Sequence, residues 1–127
     1  MTAERILLIE DDFLVATQIE AALIDAGFAI AGVGSSADEA IELASSQQPA
    51  LCVMDIRLAG SRDGIEAAIE IFMAHGIRCI FATAHADPEA RVRAEKAVPL
   101  GWLQKPFTMT SLITAVRGAV GELQGRN

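Results

Sequence analysis

Three acidic residues in a row, Glu10-Asp11-Asp12, follow directly on the apolar run Ile6-Leu7-Leu8-Ile9, and a fourth, Asp55, follows another that ends in Val53-Met54. Carboxylates gathered without a counter-charge raise one another's pKa, and a hard divalent cation relieves that repulsion. Magnesium suits such a set, because it takes oxygen ligands in octahedral array and shares carboxylates with water and phosphate oxygens. A carboxylate in that setting can attack phosphorus and become an aspartyl phosphate, provided nearby cations offset the charge of the transferred group. Two more apolar runs deliver a hydroxyl, Thr83, and an ammonium, Lys105, the latter followed by Pro106.

These groups converge only if the runs that carry them lie side by side. Short β-type runs over 5–10, 28–34, 50–54, 77–82 and 100–104 alternate with helical patterns, which predicts an α/β fold with a parallel sheet and helices on both faces. Near-continuous apolarity fits strands buried on both sides. In such a sheet ligands bind beyond the carboxyl ends of the strands, where all of the groups above fall.

Helix one is marked by Val15, Ile19, Ala22, Leu23 and Ala26 at helical spacing, with Gly27 as its stop. Ser36-Ala37-Asp38-Glu39 reads as a capping box for helix two, and Asp63-Gly64-Ile65-Glu66 repeats the logic at helix three. Asp87-Pro88 supplies a cap and a first-turn proline for helix four, and Thr108 caps helix five. Helix four, 88 to about 97, has Val92 as its main apolar anchor. It is expected to be the loosest-docked element, because helices in water are held mainly by burial of an apolar face, and Pro99 must end it early.

At 127 residues the chain fits one domain, read here as 1–127 with no output domain. With 52% hydrophobic and 21% charged residues it lies far from the signature of disorder. No apolar run approaches bilayer length and no signal segment leads it, so no membrane insertion and a cytoplasmic location are expected. Cys52 and Cys79 read as reduced, buried thiols, since no CxxC or nearby Cys/His pair makes a zinc site. Seventeen acidic against ten basic residues leave a net charge of −7, which disfavours direct nucleic-acid binding.

Four fragments in order, Ile6-Leu7-Leu8-Ile9-Glu10-Asp11, Met54-Asp55-Ile56-Arg57-Leu58 with Asp63-Gly64, Phe81-Ala82-Thr83-Ala84, and Trp102-Leu103-Gln104-Lys105-Pro106-Phe107, resemble the receiver domains of two-component response regulators. The resemblance spans nearly the whole chain and implies a flavodoxin-like (βα)5 sheet of strand order 2-1-3-4-5. It implies Asp55 as phosphoacceptor and Mg²⁺ held by Glu10, Asp11, Asp55 and the main-chain carbonyl of Arg57. Thr83, Ala84 and Lys105 would contact the phosphoryl group, Pro106 would follow a cis peptide bond, and Thr83 and Trp102 would switch on activation, biasing the face built from helix four, strand five and helix five.

Of the three leading acids, the family's spacing counted back from Gly27 selects Glu10 and Asp11 and leaves Asp12 as a helix cap, with Asp12 as a ligand kept open. The loop from Asp55 to Asp63 is about one residue longer than the family's commonest form and lacks its proline. The implied partners are a histidine kinase or a histidine phosphotransfer protein, with a possible downstream target. The role is either relay shuttle or single-domain regulator, not an enzyme beyond its own phosphoryl transfer and dephosphorylation.

Two other classes compete. A Mg²⁺-dependent phosphohydrolase with an aspartyl nucleophile should carry a second Asp two residues on, where this chain has Arg57. A flavin carrier needs a Ser/Thr/Gly phosphate loop after strand one, where Glu10-Asp11-Asp12 would repel phosphate. His75 and His85 read as surface residues, with a role for His85 in tuning phosphoryl lifetime as the sharper alternative.

Overall fold

The computed structural model describes residues 3–84 and 87–125. Five strands, β1 (Arg5–Ile9), β2 (Ala29–Gly34), β3 (Leu51–Asp55), β4 (Cys79–Thr83) and β5 (Gly101–Gln104), alternate with helices α1 (Phe13–Asp25), α2 (Ala37–Gln47), α3 (Gly64–His75), α4 (Pro88–Ala94) and α5 (Met109–Gln124). All strand pairs are parallel and the order is β2-β1-β3-β4-β5, the flavodoxin-like doubly wound arrangement.

The two-residue period of a strand sorts the core into two layers. Ile6, Leu8, Val53 and Ile80 pack with Ile19 and Leu23 of α1 and Leu112 and Val116 of α5. Leu7, Ile9, Met54 and Phe81 pack on the other face, with Ala40 and Ala44 of α2 and Ile65 and Ile71 of α3. Each of these side chains is almost wholly withdrawn from water, and each large one stabilises the fold by about 1.5–3 kcal/mol. Cys52 and Cys79 are register partners on β3 and β4, both free and both buried.

Side chains close the N-terminus of every α-helix: Asp12, Ser36, Asp63, Asp87 and Thr108 each accept from backbone N–H groups of the first turn. The reciprocal capping box is complete at α3, where Glu66 reaches back to the Asp63 N–H. At α2 only half of the expected box forms. Glu39 turns one residue further, accepting from the backbone N–H and hydroxyl of Ser35 at 3.0 and 2.8 Å, and these bonds hold its carboxyl below the usual range.

Helix four also departs from expectation. It is α-helical only over Pro88–Ala94 and tightens into a 3₁₀ turn, Glu95–Ala97, before Val98 adopts a left-handed φ of 50° ahead of Pro99. Val92 is 64% exposed and anchors nothing; Ala90, Ala94 and Ala97 join the core layer on the α3 side instead. With so few apolar residues the helical phase could not be read from the pattern, and alanines allow a close approach that a valine would prevent. Within its own span α4 buries only Ala94 where α3 buries five residues, so its docking is light. None of the described helices is long and apolar enough to cross a membrane.

Candidate functional site

The register of the central strands sets the site. β1 and β3 are paired with Ile9 opposite Met54, so Glu10 and Asp55 stand one step further at the same level. Asp55 lies opposite Ala82 of β4, and Thr83 opposite Gln104 of β5, which puts Thr83 and Lys105 at the same end. One carboxylate oxygen from each of Glu10, Asp11 and Asp55 falls within 4.8 Å of the others. Glu10 and Asp55 are 3% and 4% exposed, whereas Asp11 is open to solvent.

Lys105 reaches into this group. Its Nζ donates to Glu10 Oε1 at 2.9 Å and to Asp55 Oδ2 at 3.0 Å, and the second oxygen of Glu10 accepts from the Asp12 N–H at 3.1 Å. Burial is the largest influence on Asp55, and with the Glu10 charge beside it pushes that carboxyl up to about 7 against the opposing pull of Lys105. Burial works against the charged form of Lys105, but its hydrogen bonds to Glu10 and Asp55 prevail and hold the ammonium above its ordinary value. The donor set is all oxygen, partly buried and net negative, which fits a hard divalent cation.

The carboxylate of Asp12 stands apart from the cluster. Its Oδ1 accepts from the N–H groups of Leu14 and Val15 at 2.9 and 3.2 Å, so it caps α1. Above the carboxylates opens a cleft of about 390 Å³ bordered by Arg57, Thr83, Ala84, Asp87 and Arg93. The Lys105–Pro106 peptide is cis, and the Lys105 N–H donates to the Thr83 carbonyl at 2.8 Å. Trp102, half-buried, lies against Phe81 with ring centroids 5.0 Å apart, and the Arg91 guanidinium sits 4.6 Å from its ring. His75 is exposed, and His85 lies outside the described residues.

Two features carried no readable role in the sequence. Arg91 and Arg93 sit on a charged helix whose pattern gave no phase. Gly64, visible only as part of an Asp-Gly pair, is where α3 meets Asp55: its N–H donates to the Ile56 carbonyl at 2.8 Å, and a Cβ there would stand 2.0 Å from the Asp55 carbonyl oxygen and 2.9 Å from Met54 Cγ. The Asp55 main chain cannot yield without displacing its carboxylate. Gly64→Ala is expected to destabilise the fold by about 1–3 kcal/mol, read as a lower urea midpoint at unchanged slope; a midpoint equal to wild type would show that the contact is soft.

The sequence matches the response regulator receiver domain family over residues 6–117. It is 33% identical to the transcriptional regulatory protein PdtaR of Mycobacterium tuberculosis over 94% of this chain and 58% of that protein, so it spans little more than half of PdtaR's length. It is likewise 33% identical to the chemotaxis protein CheY of Halobacterium salinarum, over 90% of this chain and 94% of that one. Among solved structures, the signal receiver domain of a modulated diguanylate cyclase from Desulfovibrio desulfuricans superposes with a TM-score of 0.89 at 28% identity, covering 99% of this chain and 100% of the other. With a receiver strand order, an acidic cluster at the strand ends and a lysine bridging two of its members, this chain belongs to the response regulator receiver domain family.

Proposed function

We propose that this receiver accepts a phosphoryl group on Asp55 from the phosphohistidine of a histidine kinase or phosphotransfer protein and holds it as an acyl phosphate. An Asp55 carboxylate oxygen bonds to phosphorus as the phosphorus–nitrogen bond of the donor breaks, and the electron pair returns to the imidazole. Glu10, Asp11 and Asp55, with the Arg57 carbonyl, would hold Mg²⁺, which supplies positive charge to the phosphoryl oxygens. Lys105, already on Asp55, follows the added charge to those oxygens. Thr83 and the Ala84 backbone border the cleft where the group arrives. Catalysis here is positioning and charge stabilisation rather than strong-base chemistry.

The observation that supports this reading best is the meeting of three carboxylate oxygens within 4.8 Å beside a single lysine that bridges two of their owners. The chain would act within the cytoplasm as a relay shuttle or as a regulator that docks onto a target protein, turning over no separate substrate. Phosphorylation would let Trp102 repack and bias the α4–β5–α5 face toward a target.

Intact-mass analysis tests it. With Mg²⁺ and a small acyl-phosphate donor the wild type should gain one phosphoryl group, Asp55→Asn none, and the wild type in chelator far less. Uptake by Asp55→Asn, or by no protein at all, would overturn the assignment.

A further inference from the structure

The Arg93 guanidinium in the cleft is left unused by this reading. Arg93 of α4 borders the same cleft as Asp55, Thr83 and Lys105. Its Nη2, however, lies 2.9 Å from Asp63 Oδ2, across to the cap of α3.

The partner is a poor match for a guanidinium. Asp63 Oδ1 is committed to the α3 cap, accepting from the Glu66 N–H at 2.9 Å, so only one oxygen is engaged with Arg93. Both side chains are partly exposed, and ion pairs of that kind are weak and easily exchanged. A phosphoryl group on Asp55 would bring about −1.5 to −2 charge and three strong acceptor oxygens into the cleft. An arginine fork can grip two such oxygens at once, which Asp63 does not offer.

We propose, on the footing that Asp55 is the phosphoacceptor, that Arg93 leaves Asp63 for the phosphoryl oxygens and serves as a second phosphoryl-contacting cation that draws α4 toward the cleft. Asp63 is then a competitor that holds Arg93 back in the resting protein. The exchange also reaches the signalling face. Arg91, two residues earlier on the same lightly docked helix, lies over Trp102, so a displacement of α4 changes the surroundings of that ring.

The test is a double-mutant cycle on the whole chain, reading the initial rate of phosphorylation by acetyl phosphate in Mg²⁺. Arg93→Ala should slow it by about tenfold, the scale of one lost charge-assisted hydrogen bond, and Arg93→Lys by less. Asp63→Asn keeps an equally good helix cap and should speed acceptance by roughly threefold. In the Arg93→Ala background Asp63→Asn should do nothing, because its effect runs through Arg93. The Trp102 fluorescence change on phosphorylation should shrink in Arg93→Ala.

Slowing or no change in Asp63→Asn would mean that the pair is only a staple between α3 and α4. Equal acceleration with and without Arg93 would mean that Asp63 acts through its field alone. Either result overturns the inference. A wild type that takes up no phosphoryl group would instead overturn the assignment of Asp55, an outcome read separately from the cycle.

Discussion

Asp55→Asn is expected to be more stable than the wild type at pH 8 in the absence of divalent cations, by on the order of 4 kcal/mol. The folded protein holds the Asp55 carboxyl up to about 7 against 3.8 for the free group, chiefly through burial and then through the charge of Glu10. A carboxyl raised on folding binds its proton more tightly in the native state, so stability is greatest at low pH. It falls as pH rises from about 4 toward 7, and the penalty is complete above that window. Each tenfold difference in proton affinity between the folded and unfolded chain is worth about 1.4 kcal/mol, which sets the scale.

Asparagine carries no such charge and can still accept from Lys105. The two proteins should therefore unfold alike near pH 4 and diverge up to pH 7, as measured by urea unfolding across the range. A gap that is absent at pH 8, or that widens toward acid, would contradict the burial of an ionised Asp55. Added Mg²⁺ should stabilise the wild type in this assay by about 1.4 kcal/mol at tenfold excess over its Kd.

Lys105→Met should have the opposite sign and a comparable size. The lysine is the only cation hydrogen-bonded to Glu10 and Asp55 among the described residues, and both carboxylates are almost fully buried. Removing one partner of a buried ionic group strands the charges it balanced, at about 3–5 kcal/mol; since the Lys105 side chain is 28% exposed, about 2–4 kcal/mol is expected here. The loss should shrink at pH 5, where Asp55 takes up a proton, and should be smaller in the Asp55→Asn background. Phosphoryl acceptance should fall by about a hundredfold, the scale of removing one preorganised charge-stabilising donor. Chemical unfolding at pH 8 and pH 5, with intact-mass time courses, checks both parts; a variant close to wild type in each would show that the lysine neither balances nor steers the site.

Much of the candidate site was legible because strand ends are legible. A residue that follows an apolar run in a parallel sheet is bound to emerge at the carboxyl edge, so Glu10, Asp55, Thr83 and Lys105 could be placed together from the runs preceding them. The choice among Glu10, Asp11 and Asp12 was harder. Three adjacent acids differ by one residue, and the decision rests on a backbone that turns into α1 at Asp12, where its side chain meets the N–H groups of Leu14 and Val15. The strand limits shifted by one or two residues for a similar reason: Asp55 and Thr83 are still within β3 and β4, which pairing with neighbours decides and composition does not.

What the sequence by itself determined is the alternation of strands and helices, the capping residues and the set of groups at one edge of the sheet, since these depend on local periodicity and on hydrogen bonds within a few residues. Only the tertiary structure decided which face α4 turns inward, that Gly64 leaves α3 no room for a Cβ against Asp55, and that Arg93 is held by Asp63 thirty residues away. Those features depend on how elements approach one another, and a distance between two packed elements has no counterpart in the order of residues along either of them.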